Sequence, residues 1–337
     1  MKGKFSSRWI AALVLAGAAS VAAQSMPIRL GTVAPRTSPW ITALNTMGQN
    51  WSTATQKRVV FRSYADQTSE SSVIDKMGTG GFESAALSVV GLAEIDESFN
   101  VLAIPFFFES DAEFRAVLDK LTPSLTDALA KKNYHLVLWG HGGWVQIFSK
   151  KPIRTVADLQ KSKLFTSEGS PKTEQWYRQN GFNPVPRPAG DIAIQLKLPT
   201  GAIDATPGVP PLALATQFYK DAPYMLDIRV APLVAGVVMT DKAWKSLSDA
   251  DRTKIMEIAK QTEQQLFADA PALDAKHVKE MQGSGLQVVT LDAKAAGEFR
   301  TTADKLTASQ RGSIIPAAVY DQAVRERDAY RKSNRGK

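Results

Sequence analysis

The sequence predicts an α/β protein of two domains, and three observations predict it. The first ninety or so residues alternate strand-like and helix-like segments, an order that builds a parallel sheet with helices on its faces. The 337-residue chain is longer than a single hydrophobic core usually serves, and its 44% apolar and 22% charged residues suit packed cores beneath a wetted surface. Near Lys150 a second alternation of short strands and helices begins.

Taken in order, Met1 to Ala23 reads as a secretory signal. Lys2, Lys4 and Arg8 form a basic start, Trp9 to Ala23 carries no charge, and Val21 and Ala23 are small residues placed for cleavage before Gln24. Its 15 uncharged residues fall short of the roughly 20 that span a bilayer, so removal is expected over anchoring. Cleavage leaves 314 residues and lowers the net charge from +8 to +5, with no basic run of the kind that grips nucleic acid.

Ile28 to Val33 is a first strand, closed by a Pro/Ser-rich turn at Pro35 to Pro39. Trp40 to Thr55 is a helix, because Ile41, Leu44, Met47 and Trp51 share one side. Arg58 to Tyr64 is a second strand, Glu70 to Met77 a short helix and Ser84 to Val90 a buried strand. Leu136 to Leu138 and Val145 to Phe148 are strands on either side of a Gly-rich turn, Gly140-His141-Gly142-Gly143. Beyond Lys150 come a capped turn at Thr155 to Leu159, a strand at Lys163 to Thr166 and a helix from Pro171 ending at Gly181. Extended pieces follow at Asn183 to Pro188 and Ala202 to Ala205, and Val230 to Met239 is a long apolar extended run. Ser248 caps a helix reaching about Gln282 that should kink near Pro271, which has no N–H to give. Leu286 to Thr290 is a last strand before a polar helical tail.

Catalytic chemistry is absent from these patterns. Zero cysteines remove disulfides, thiolate metal sites and cysteine nucleophiles. His135, His141 and His277 do not pair at metal-ligand spacing, there is no G-x-S-x-G, and the glycine pairs lack a phosphate-cradling context. No enzyme and no cofactor are expected. Binding explains Trp139-Gly-His-Gly-Gly-Trp144 better: indoles offer contact area, and glycines let backbone N–H groups approach a ligand. Trp139 suits either core or cleft, Trp144 suits the cleft, and His141 suits a cleft rim or the surface.

The order of these pieces resembles the solute-binding subunit of tripartite ATP-independent periplasmic (TRAP) transporters, of the DctP type. The likeness runs through SYADQTSESSVIDKMGTGGFESAALSVVGL, NVLAIPFFFES, VLWGHGGWVQIFSKKPIRTVADLQKSKLF and GAIDATPGVPP to the helix start WKSLSDADR. It implies a type II-like periplasmic binding protein: two α/β domains joined by crossing strands, an interdomain cleft, and a long kinked helix spanning both. Residues 24–146 with about 232–270 would form domain I, and 147–231 with about 271–337 domain II. It further implies a monomer that closes over a small solute, commonly an organic acid, and delivers it to the small and large membrane subunits of a permease. A sensor partner or a neutral ligand is the alternative.

The chain departs from that family in its anion grip. Where the pattern K-x-R usually supplies a carboxylate-binding arginine, this chain has Lys163-Leu164-Phe165, and Val145 stands where a second arginine is common. Thr206-Pro207-Gly208 replaces a polar pattern. The resemblance places Ser38, Trp40, Gln67, Ser88, His141, Trp144, Phe165, Ser167, Asp204 and Pro207 around the solute. Trp40, Trp144 and Phe165 together suggest an acid with an apolar or aromatic part. Backbone N–H groups at Gly142-Gly143 or in 167–170 would hold its carboxylate.

Overall fold

A computed structural model describes residues 25–168, 171–198 and 202–334. The expected signal segment lies outside them. Among the described residues no helix is long and apolar enough to cross a membrane.

Strands β1 (Met26–Gly31), β2 (Val59–Tyr64) and β3 (Ser84–Ser88) are parallel, with β1 between the others. Helix α1 (Pro39–Ala54) starts where the Ser38 side chain accepts the Ile41 N–H and Pro39 pre-sets the first turn. Its expected apolar side is buried: Ile41, Leu44, Met47 and Trp51. Helix α2 (Glu70–Gly78) links β2 to β3. The third strand ends two residues early, because Ser88 caps helix α3 (Val89–Ile95) instead of extending the sheet. After a 3₁₀ segment, Glu97–Ala103, comes α4 (Asp111–Lys131), whose first turn is closed by Ser110 and Glu113.

The next strand, β4 (Tyr134–Ser149), is continuous. The expected turn at Gly142-Gly143 is instead a register shift between His141 and Trp144, with Gly143 at φ +100°. Helix α5 (Val156–Lys161) begins with a complete capping box at Thr155 and Asp158. The second unit follows: β5 (Lys163–Ser167), α6 (Pro171–Gln179), β6 (Asn183–Arg187), α7 (Ile192–Lys197), β7 (Ala205–Gly208) and α8 (Pro210–Thr216). Strand β8 (Tyr224–Thr240) then returns antiparallel to both β3 and β4. All strands join one sheet in the order β2-β1-β3-β8-β4-β7-β5-β6, and β9 (Gln287–Val289) pairs with the outer half of β8. The two long strands therefore carry the chain from one α/β unit to the other and back.

A short helix α9 (Asp241–Ser246) precedes α10 (Asp249–Gln282), which is capped by Ser248 as expected and includes Pro271. It lies along the edge of β4 that β7 leaves unpaired. The Trp139 N–H donates to Glu263 and the Trp144 N–H to Asp274, each at 2.8 Å. The spacing explains the match: eleven helical residues rise about 16 Å, and five extended residues cover about the same. Two carboxylates of one helix thus satisfy edge donors that would otherwise be buried without partners.

Helix α11 (Ala293–Ala308) covers the second unit, and α12 (Ala317–Asn334) closes the described chain. The tail returns to the first unit. Gln322 bonds Ser124 and the Lys120 carbonyl, and Arg331 bonds Glu113 and the Phe107 carbonyl, so α12 lies on α4 of the first unit. Val319 and Ala323 are buried there with Leu118, Leu121 and Leu125.

Candidate functional site

In each unit the parallel strands end at the gap between the two. Gly31, Tyr64 and Ser88 close β1, β2 and β3; Ser167, Arg187 and Gly208 close β5, β6 and β7. The rims approach one another. A Cβ on Gly190 would lie 3.6 Å from the Thr68 carbonyl, and Lys172 pairs with Glu97. The Glu94 carboxyl is pushed up by burial and by the negative charges of Asp75 and Glu168, the latter belonging to the opposite unit. Such a crevice beyond the carboxyl ends of strands is where open α/β sheets bind ligands.

The crossing strands under this gap hold a polar cluster. Asp111, the first residue of α4, accepts from His141 Nε2 at 2.9 Å and from Trp144 Nε1 at 3.0 Å. The His141 bond, then that of Trp144, holds its carboxyl below the usual range against partial burial. The Arg229 guanidinium stands 5.3 Å from the centre of a Trp144 ring. Phe114 and Phe267 pack against the His141 imidazole, whose Nδ1 is buried and unpartnered.

Asp274 faces the same cluster from α10. Burial pushes its carboxyl up to about 6, over the opposing influence of the Trp144 N–H, His141 and Arg229, with Asp111 adding to the rise. A carboxyl raised above its unfolded value of about 3.9 contributes stability that is full below that value and is lost as pH rises through about 6. The expected size is about 2 kcal/mol between pH 4 and pH 8. Asp274→Asn should remove this component, seen by subtracting urea-unfolding free energies of the two proteins across that range. A difference that stays constant with pH would contradict the assignment.

The ten residues expected around the solute separate into two groups. Six side chains have structural positions. Ser38 caps α1, and Ser88 caps α3 while donating to buried Glu70 at 2.7 Å. His141 and Trp144 are only 3% and 1% exposed, so neither indole nor imidazole lies at a cleft rim: α4 and α10 cover them. Phe165, 4% exposed, points into the second unit's core with Phe148 and Phe218. Asp204 lies before β7, at the end remote from the gap, where its backbone bonds Lys150 and Lys163. Four remain about the gap. Trp40 is half-buried, with its ring so close to Gly140 that a Cβ there would lie 1.8 Å from it. Gln67 accepts from Lys76 at 2.7 Å, Ser167 ends β5, and Pro207 stands opposite Ile147. Of the expected carboxylate cradle, Gly142 and Gly143 lie in the register shift of β4, with Asp274 against Gly143, and residues 169–170 lie outside the described residues.

Two polar residues at this level escaped sequence reasoning. Arg187 ends β6 half-buried, and Gln146 lies in β4 with its side-chain oxygen buried and unpartnered. A lone arginine among prolines and a glutamine within an apolar strand carry no local signal; only strand register places them.

The family model for bacterial extracellular solute-binding proteins, family 7 (DctP), matches residues 30–312. A solute-binding protein of Chromohalobacter salexigens is 24% identical over 318 residues, covering 93% of this chain and 89% of its own. The fold is shared with an extracytoplasmic solute receptor of Bordetella pertussis that binds pyroglutamic acid: TM-score 0.82, 18% identity, 90% of this chain and 100% of that one. It is shared too with a TRAP periplasmic solute-binding protein of Ralstonia eutropha with bound (S)-2-acetolactate: TM-score 0.82, 20% identity, 91% and 99% coverage. A third, from Chromohalobacter salexigens with bound D-glucuronate, has TM-score 0.79, 21% identity and 90% and 99% coverage.

Proposed function

Because the chain belongs to the bacterial extracellular solute-binding proteins of family 7, whose TRAP members are periplasmic transport receptors and not enzymes, we propose that it captures a small organic acid between its two α/β units. The acid is held in the gap between the strand ends, and the loaded protein delivers it to a membrane permease driven by an ion gradient. The observation that carries this reading is the meeting of the two rims at Thr68 and Gly190, above strands that cross only at the hinge. A ligand touching both rims favours the closed arrangement by its differential contacts alone.

The relatives' ligands, pyroglutamic acid, acetolactate and glucuronate, support a small acid. A preference for an aromatic part loses its support, since Trp144 and Phe165 are covered and Trp40 alone remains at the gap. The test is a thermal-shift panel of organic acids and neutral metabolites on residues 24–337. A ligand at 100 times its dissociation constant adds about 2.7 kcal/mol, a plain rise in melting temperature. Acids should give the hits; hits confined to neutral compounds would contradict the proposal.

A further inference from the structure

The ends of the second unit's strands form one polar row. Ser167 pairs with Arg187 across β5 and β6, and Gln146 with Gly208 across β4 and β7. Leu164 pairs with Ala205, and three residues further along these parallel strands Ser167 and Gly208 end β5 and β7. The four positions share a face. Ser167 follows Phe165 by two residues, Arg187 follows Val185, and Gln146 precedes Phe148, all three hydrophobics packing in one core. A Cβ on Gly208 would meet Phe218 and Phe148 of that core. Three strand spacings set Gln146 about 14 Å from Arg187 along the backbone, a span that two long side chains reduce to the size of a small metabolite.

The two ends of this row have unspent hydrogen-bonding capacity. Among the described residues the Arg187 side chain bonds only the Pro186 carbonyl, at 2.8 Å, and pairs with no carboxylate. A half-buried guanidinium without a counter-charge is costly unless an anion completes it. Gln146 is 9% exposed, and its Oε1 is buried without a donor. Across the gap from the β6 loop stand the Thr68 carbonyl and Gln67, so the row faces the opposite rim.

We propose that Arg187 binds the carboxylate of the solute and that Gln146 accepts a hydrogen bond from a hydroxyl or N–H elsewhere on it. The ligand class is then a small acid that carries a second, donating polar group. This rests on the solute-binding reading, and Arg187 takes over the charge that Phe165 does not supply.

The test is calorimetric titration of the wild type, Arg187→Ala, Arg187→Lys and Gln146→Leu. The probes are pyroglutamate, D-glucuronate and lactate, each beside its uncharged amide, with propionate as the acid lacking a second donor. Acids should bind and amides should not. Arg187→Ala should lose at least about 30-fold in affinity, about 2 kcal/mol, with the melting temperature of the free protein not lowered. Arg187→Lys should fall between, since it keeps charge without the fork. Gln146→Leu should weaken lactate about fivefold and leave propionate unchanged. Equal acid binding by Arg187→Ala overturns the arginine assignment and leaves solute binding intact; equal binding of amides overturns the anion grip. Silence of every acid and amide at about 10 mM overturns both this inference and the solute-acid reading.

Discussion

Gly143→Ala should destabilise the protein by about 2–5 kcal/mol. Gly143 has φ +100°, a region that L side chains rarely adopt, and an added Cβ would lie 2.1 Å from Asp274 Oδ1. The carboxylate cannot swing away freely, because its other oxygen accepts the Trp144 N–H at the β4 edge. Moving it leaves a buried donor unpartnered, in addition to the backbone strain. Gly285→Ala separates the two costs. Gly285 has φ +104° with nothing within 4 Å of an added Cβ, so it reports the dihedral cost alone. Urea unfolding followed by tryptophan fluorescence should show a clearly larger loss at Gly143. Equal losses would mean that α10 does not brace the crossing strand there.

Glu70→Ala is the second large effect, at about 3–5 kcal/mol. Glu70 is buried, and its carboxylate receives the Ser88 N–H at 2.6 Å, the Ser88 hydroxyl at 2.7 Å and the Gly91 N–H at 2.8 Å. It thereby fixes the strand-to-helix corner where β3 becomes α3. Burial raises its pKa, and those three bonds oppose the rise. Alanine would strand the buried Gly91 N–H and both donors of half-buried Ser88 at once. Ser88→Ala removes one bond and one cap, and should cost about 1 kcal/mol of stability without changing solute affinity. Weakened solute binding by Ser88→Ala at unchanged stability would return Ser88 to the site.

The features legible in the sequence were those set by local chemistry. The α1 stripe from Ile41 to Trp51, the Ser248 cap, and the Thr155 box each announce themselves within one or two helical turns. Clustered glycines ordinarily mark turns, which made the Gly142-Gly143 region read as one. Here they admit distant side chains, Asp274 from α10 at Gly143 and Trp40 from α1 at Gly140. The same distant helix covers His141 and Trp144, so an aromatic motif that reads as a cleft is a braced hinge. Helix α4 went unread in the sequence, although Ser110 and Glu113 close its first turn, because Pro123 interrupts its helical pattern. Arg187 and Gln146 were illegible because their relation is one of register across four strands, separated by 41 residues and by two helices.

Domain closure is the central claim, and the absence of cysteine makes it directly measurable. Thr68→Cys on the rim of the first unit and Lys197→Cys at the end of α7 introduce two exposed labelling positions on opposite units. Spin labels there report the distance between the units by pulsed electron resonance, with and without a saturating acid identified by thermal shift. The account predicts a distance distribution that shortens and narrows with the acid, whereas identical distributions with and without saturating ligand would contradict capture by closure.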